Sequence, residues 1–163
     1  MTTRTFAPWV APSAEQLRHS RAEIARAARQ LLPEHWRMPS PLEGWSYRDL
    51  LTHLAVGDWV CQSILSAAVA GRPADLSILN QLDERNEQLR REREGRSIEE
   101  LIAEVESEGE ETQELLAQIT DKDEHRTQEG APMTLDQYLC DAFPGHDGDH
   151  LAQLSSALDN VML

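Results

Sequence analysis

Apolar residues recur at intervals of three and four along most of this chain, and the recurrence falls into four stretches. Leu17, Ile24, Ala27, Ala28 and Leu31 make a first stripe that stops before Pro33. Leu50, His53, Leu54, Gly57, Cys61, Ile64, Leu65 and Ala68 make a second, closed by Gly71-Arg72-Pro73. Leu101, Val105, Thr112, Leu115, Leu116 and Ile119 make a third with an acidic outer face. Leu135, Tyr138, Leu139, Ala142 and Phe143, then Leu151, Leu154 and Leu158, make a fourth, interrupted by Pro144-Gly145. This spacing is that of one face of an α-helix. At the interruption either the fourth helix kinks, or two helices abut with Pro144 in a first turn.

A capping pattern precedes each stripe. Ser13-Ala14-Glu15-Gln16, Ser46-Tyr47-Arg48-Asp49, Ser97-Ile98-Glu99-Glu100 and Thr134-Leu135-Asp136-Gln137 each place a hydroxyl three residues ahead of a side chain that can reach back to it. Such pairs satisfy backbone N–H groups that a helix start leaves without partners. Alternating β-branched runs are absent, so no strand is expected. The pattern predicts an all-α protein, a single four-helix-bundle domain over residues 1–163. The long link Gly71–Arg96 between the second and third helices predicts a crossover with one parallel neighbour pair. Within it, Asp83–Glu94 is charged but free of Gly and Pro, and predicts a short surface helix.

Charge narrows the partners. The 163 residues carry a formal net charge of −14, and residues 83–124 alone carry 16 acidic against 6 basic side chains. Such a balance repels phosphate backbones and anionic membrane surfaces, so neither nucleic acid nor membrane is an expected partner. Two distant cysteines, Cys61 and Cys140, read as buried free thiols rather than a disulfide framework. No signal peptide is visible after Met1, and a cytoplasmic protein is expected.

Candidate chemistry rests on histidine. His146 and His150 are four apart, so a helix would put both on one face, within reach of one ion. His53 sits in the apolar stripe of the second helix, facing the interior that the fourth helix must also face. Three imidazoles from two helices would leave a coordination position open, as catalytic metal sites do. The bland alternative is a satisfied core histidine with two solvated ones. Asp49, one turn before His53, could orient its second ring nitrogen, or simply cap its helix. Asp147 and Asp149 flank the pair, each either an acceptor for a ring nitrogen or simply solvated, and Asp149 is taken with Asp49 as a supporting carboxylate. His19, His35 and His125 read as surface residues. No Gly-rich phosphate loop, nucleophile elbow or C-x-x-C pair is present.

Leu42-Glu43-Gly44-Trp45-Ser46-Tyr47-Arg48-Asp49-Leu50-Leu51-Thr52-His53-Leu54 resembles the start of the second helix in the DinB-like superfamily, which includes thiol-dependent S-transferases and mycothiol-dependent maleylpyruvate isomerases. Phe143-Pro144-Gly145-His146-Asp147-Gly148-Asp149-His150-Leu151-Ala152-Gln153-Leu154 is similar to that superfamily's last-helix motif, and Leu82-Asp83-Glu84-Arg85-Asn86 to its link. The resemblance implies a four-helix bundle with a crossover and a divalent metal, zinc or nickel, on His53, His146 and His150. It also implies a low-molecular-weight thiol, a small-molecule substrate and a homodimer. The expected function is metal-dependent transfer or isomerisation with such a thiol. A metal-dependent hydrolase and a non-catalytic acidic bundle that binds a partner are the alternatives.

Overall fold

The structure, a computed structural model, describes residues 4–57, 59–128 and 131–159. Helix α1 spans Ala11–Gln30, α2 Tyr47–Val56, α3 Trp59–Val69, α4 Leu82–Glu92 and α5 Ile98–Leu116. A two-stranded antiparallel hairpin follows, β1 Thr127–Gln128 and β2 Ala131–Thr134. One turn of helix, α6 at Leu135–Gln137, leads through a π-helical turn at Tyr138–Ala142 into α7, Phe143–Asp159. Among the described residues no helix is long and apolar enough to cross a membrane.

Three of the four expected caps form. Ser46, Ser97 and Thr134 each make the reciprocal box with Asp49, Glu100 and Gln137. The fourth does not, because α1 starts three residues earlier, with Val10 at the cap position. Pro12 lies in its first turn, where a missing N–H costs nothing. Ser13 is instead buried, and its hydroxyl donates to the Leu139 carbonyl. The second stripe is two helices, not one. Gly57 ends α2 at a φ of 74°, and any β-carbon there would strike the Glu108 carboxylate on α5. The charged link does contain its own helix, α4, with only Leu89 of its residues buried. The hairpin corrects the expectation of no strands; four residues are too few for an alternating pattern to register.

Cross-contacts fix the topology. Gln113 donates to the Ala14 carbonyl and Arg29 pairs with Glu106, so α1 and α5 run antiparallel. Ser13 reaches Leu139 and Arg21 reaches Asp147, so α1 and α7 run parallel. Arg48 bonds the Arg96 carbonyl and Gln62 bonds Thr112, so α2–α3 runs parallel to α5. Tyr47 meets Ser156 and His53 meets His146, so α2 and α7 are antiparallel. The bundle is therefore up-down-down-up with the expected crossover, but it has two parallel neighbour pairs rather than one. A ring of two up and two down helices that do not alternate has two such sides.

The interior is two apolar clusters. One gathers Ile24, Ala28, Leu50, Leu54, Leu101, Val105 and Leu154; the other gathers Leu17, Cys61, Leu65, Leu116, Leu135 and Leu139. Cys61 is buried as expected, but Cys140 is exposed. It lies in the π-turn, directly after the buried Leu139, and is not one of the positions of the fourth apolar stripe.

Candidate metal centre

Three histidines meet between α2 and α7. The capping box at Ser46 sets where α2 begins, and two turns later His53 projects beside the buried Leu50 and Leu54. On α7, His146 and His150 stand one turn apart and face it. One ring nitrogen from each of the three lies within 4.8 Å of the other two. The rings are steeply inclined, with centroids 4.6 Å apart for His146 and His150, and 4.9 Å apart for His53 and His150. His53 Nε2 is 3.3 Å from His146 Nε2.

That last distance bears on metal binding. Tetrahedral zinc–imidazole bonds of about 2.0–2.1 Å put two ligand nitrogens about 3.3 Å apart. On α7 the other nitrogen of each ring has a partner that leaves Nε2 to the cluster. His150 Nδ1 donates to Gln153 Oε1 at 2.7 Å, and His146 Nδ1 faces Asp147 Oδ1 at 3.4 Å. His53 is pushed down to about 3, by burial first and then by His150 and His146. His150 is also lowered, by burial and His146, against the hydrogen bond it donates to Gln153. Neutral imidazole is the form that binds a metal ion, so the donor set fits a divalent metal.

The carboxylates divide differently from the sequence expectation. Asp49 Oδ2 accepts from the backbone and hydroxyl of Ser46, and its Oδ1 accepts from Arg90 on α4. It caps α2 and ties it to α4, and among the described residues no histidine is hydrogen-bonded to it. Asp149 is exposed and hydrogen-bonded to no histidine among the described residues. Asp147, its neighbour on the other flank, is the buried one. Burial pushes its carboxyl up, but the His146 contact and the Arg21 charge outweigh this and hold it below the usual range. Arg21 reaches in from α1: its Nε is 2.9 Å from Asp147 Oδ2, and its Nη1 donates to the Leu54 carbonyl at 2.7 Å. The Nε–Oδ2 contact lacks hydrogen-bond alignment and acts by charge alone. Trp45 packs edge-on against His53, with centroids 5.4 Å apart.

The other histidines stand apart from the cluster. His19 and His125 are exposed, as expected. His35 is buried, contrary to expectation, with Nδ1 accepting from the Leu32 backbone N–H in the turn that closes the end of α1. A cleft of about 700 Å³ lies elsewhere, lined by Ala28, Leu31, Trp36, Arg37, Ile98 and Ile102. None of its lining residues belongs to the histidine cluster, so cleft size alone does not find the site.

Gln153 and Arg21 are the contributors that sequence reasoning passed over, and Asp147 is one it named without choosing. Arg21 had a signal: it is four residues after Leu17 and three before Ile24, a charge on an apolar face.

Compared with known families, residues 17–142 match the model of the mycothiol maleylpyruvate isomerase N-terminal domain. The match takes in His53 and ends four residues short of His146. No curated protein and no solved structure matches the chain.

Proposed function

The chain belongs to the mycothiol maleylpyruvate isomerase N-terminal domain family, and from that premise we propose a divalent-metal enzyme that works with a low-molecular-weight thiol. His53, His146 and His150 hold the ion, zinc or nickel. Such an ion would supply charge that favours a thiolate over a thiol at neutral pH. The protein's own part is to keep three imidazoles neutral and converging. Gln153 and Asp147 orient two of the rings, and Trp45 shields the edge of the third. Among the described residues no carboxylate joins the three nitrogens, which supports a site with room for thiol and a small electrophile. The reaction class is transfer or isomerisation.

The observation that carries this reading is the 3.3 Å approach of two Nε2 atoms on helices from opposite sides of the crossover. Elemental analysis of untagged protein, wild type and His53→Ala, tests the metal; turnover of electrophiles with and without mycothiol-like thiols tests the chemistry. Stoichiometric metal lost in His53→Ala, with thiol-dependent turnover, is the expected result. Metal with thiol-independent turnover would make the site a hydrolase. Absence of metal from the wild type would leave the non-catalytic acidic bundle.

A further inference from the structure

Arg21 is a buried cation on a helix that carries none of the three histidines. Among the described residues no other arginine or lysine is buried. Helix α1 puts it on the face of Leu17, Ile24 and Ala28, between the two apolar clusters. Space for its stem comes from α5. A β-carbon on Gly109 would lie 3.0 Å from Arg21 Cγ and 3.3 Å from its Cβ, so glycine there admits the side chain.

Its charged end touches both histidine-bearing helices next to their histidines. On α2 it bonds the carbonyl of Leu54, the residue after His53. On α7 it faces the carboxylate of Asp147, the residue after His146, whose other oxygen faces His146 Nδ1. Stability does not explain the arrangement, because well-packed apolar residues of similar volume do as well as a buried ion pair or better. What the pair adds is geometry. The carboxylate on Nδ1 makes that nitrogen the protonated one, so Nε2 presents a lone pair to the cluster. The guanidinium anchors that carboxylate and the backbone of α2 to one point.

We propose that Arg21 and Asp147 are positioning residues of the histidine centre, fixing the His146 tautomer and the register of α7 against α2 before any ligand arrives. The inference rests on the metal reading above for its effect on affinity, but not for its effect on the tautomer. Two measurements on the full chain test it. Zinc affinity by chelator competition is compared for wild type, the double variant Arg21→Met/Asp147→Leu, and Asp147→Asn. The double variant removes both charges at near-constant volume and remains folded; its affinity falls about 10–100-fold, while Asp147→Asn, which can still accept from Nδ1–H, recovers much of the loss. Long-range proton–nitrogen NMR of the zinc-free protein reads the tautomer: His146 is Nδ1–H in wild type and Asp147→Asn, and a mixture in the double variant. A folded double variant with wild-type zinc affinity and an unchanged His146 tautomer overturns the proposal. Should wild type bind no zinc, the metal reading fails by itself, and the tautomer comparison still decides the positioning role. Should the double variant not fold, Arg21→Gln/Asp147→Ala, which keeps a donor for the Leu54 carbonyl and leaves neither charge buried without its partner, carries the tautomer test.

Discussion

Two regions of the bundle use the same ionic chemistry in different media. Around the outer faces of α4 and α5, arginines and glutamates pair in plain view: Arg29 of α1 with Glu106, Arg91 with Glu87, Arg96 with Glu104, each with its arginine half exposed or more. Between α1 and α7, Arg21 meets Asp147 with side chains 7% and 8% exposed. The first region holds most of the net charge, and the second holds a single pair. Water screens the many, and burial magnifies the one. Where charge sits thus tells more about the site than how much of it there is.

That contrast can be broken at its strong end first. Arg21→Ala leaves the Asp147 carboxylate buried without its cation, and urea denaturation should show a loss of about 3–5 kcal/mol. A loss under 1 kcal/mol would place the pair with the surface ones. Next comes pH. Burial holds His53 neutral in the folded protein down to about 3, whereas the unfolded chain takes up its proton near 6.5. Between those values the unfolded state binds more protons, so stability of the zinc-free protein should fall as pH drops through that window. His53→Leu should flatten the curve; a curve that keeps its slope would show that the ring does not titrate in the way its burial dictates.

A subtler comparison sets two caps side by side. Ser97→Ala and Ser46→Ala each remove a capping hydroxyl, at about 1 kcal/mol by thermal or chemical unfolding. Only Ser46→Ala should also weaken zinc binding, because α2 carries a histidine of the cluster and α5 carries none. The smallest effect belongs to Arg29→Ala, expected at about 0–1 kcal/mol and diminishing with added salt. A larger value would mean that the acidic face is more than solvated surface.

The bundle was legible because its amphipathic stripes and capping boxes are local. So were His53, His146 and His150, since four-residue spacing and an apolar neighbourhood are written in the chain. The supporting carboxylate was harder. At about 100° per residue, Asp147 and Asp149 lie about 80° to either side of the midline between His146 and His150, so the pair alone cannot choose. A helix must lie on one side, and α1 with Arg21 does. Leu154, seven residues after Asp147, shares its face and is buried, which is the signal that would have decided it. Asp49 misled because one position suits two roles, and Ser46 with Arg90 takes both of its oxygens. The split of the second stripe at Gly57 and the π-turn before α7 escaped for another reason. Both depend on a neighbour or on backbone phase, not on the order of apolar and polar residues.

His53 and His146 are 93 residues apart in sequence, on opposite sides of the long crossover. An ion shared between them would therefore be a cross-link as well as a centre of chemistry. Closing a loop of that length in the unfolded chain removes conformational freedom worth about 4–5 kcal/mol in the chain-entropy account of such links. Unlike a disulfide, the link can be undone by a chelator. The melting temperature of this protein would then report the concentration of free metal around it.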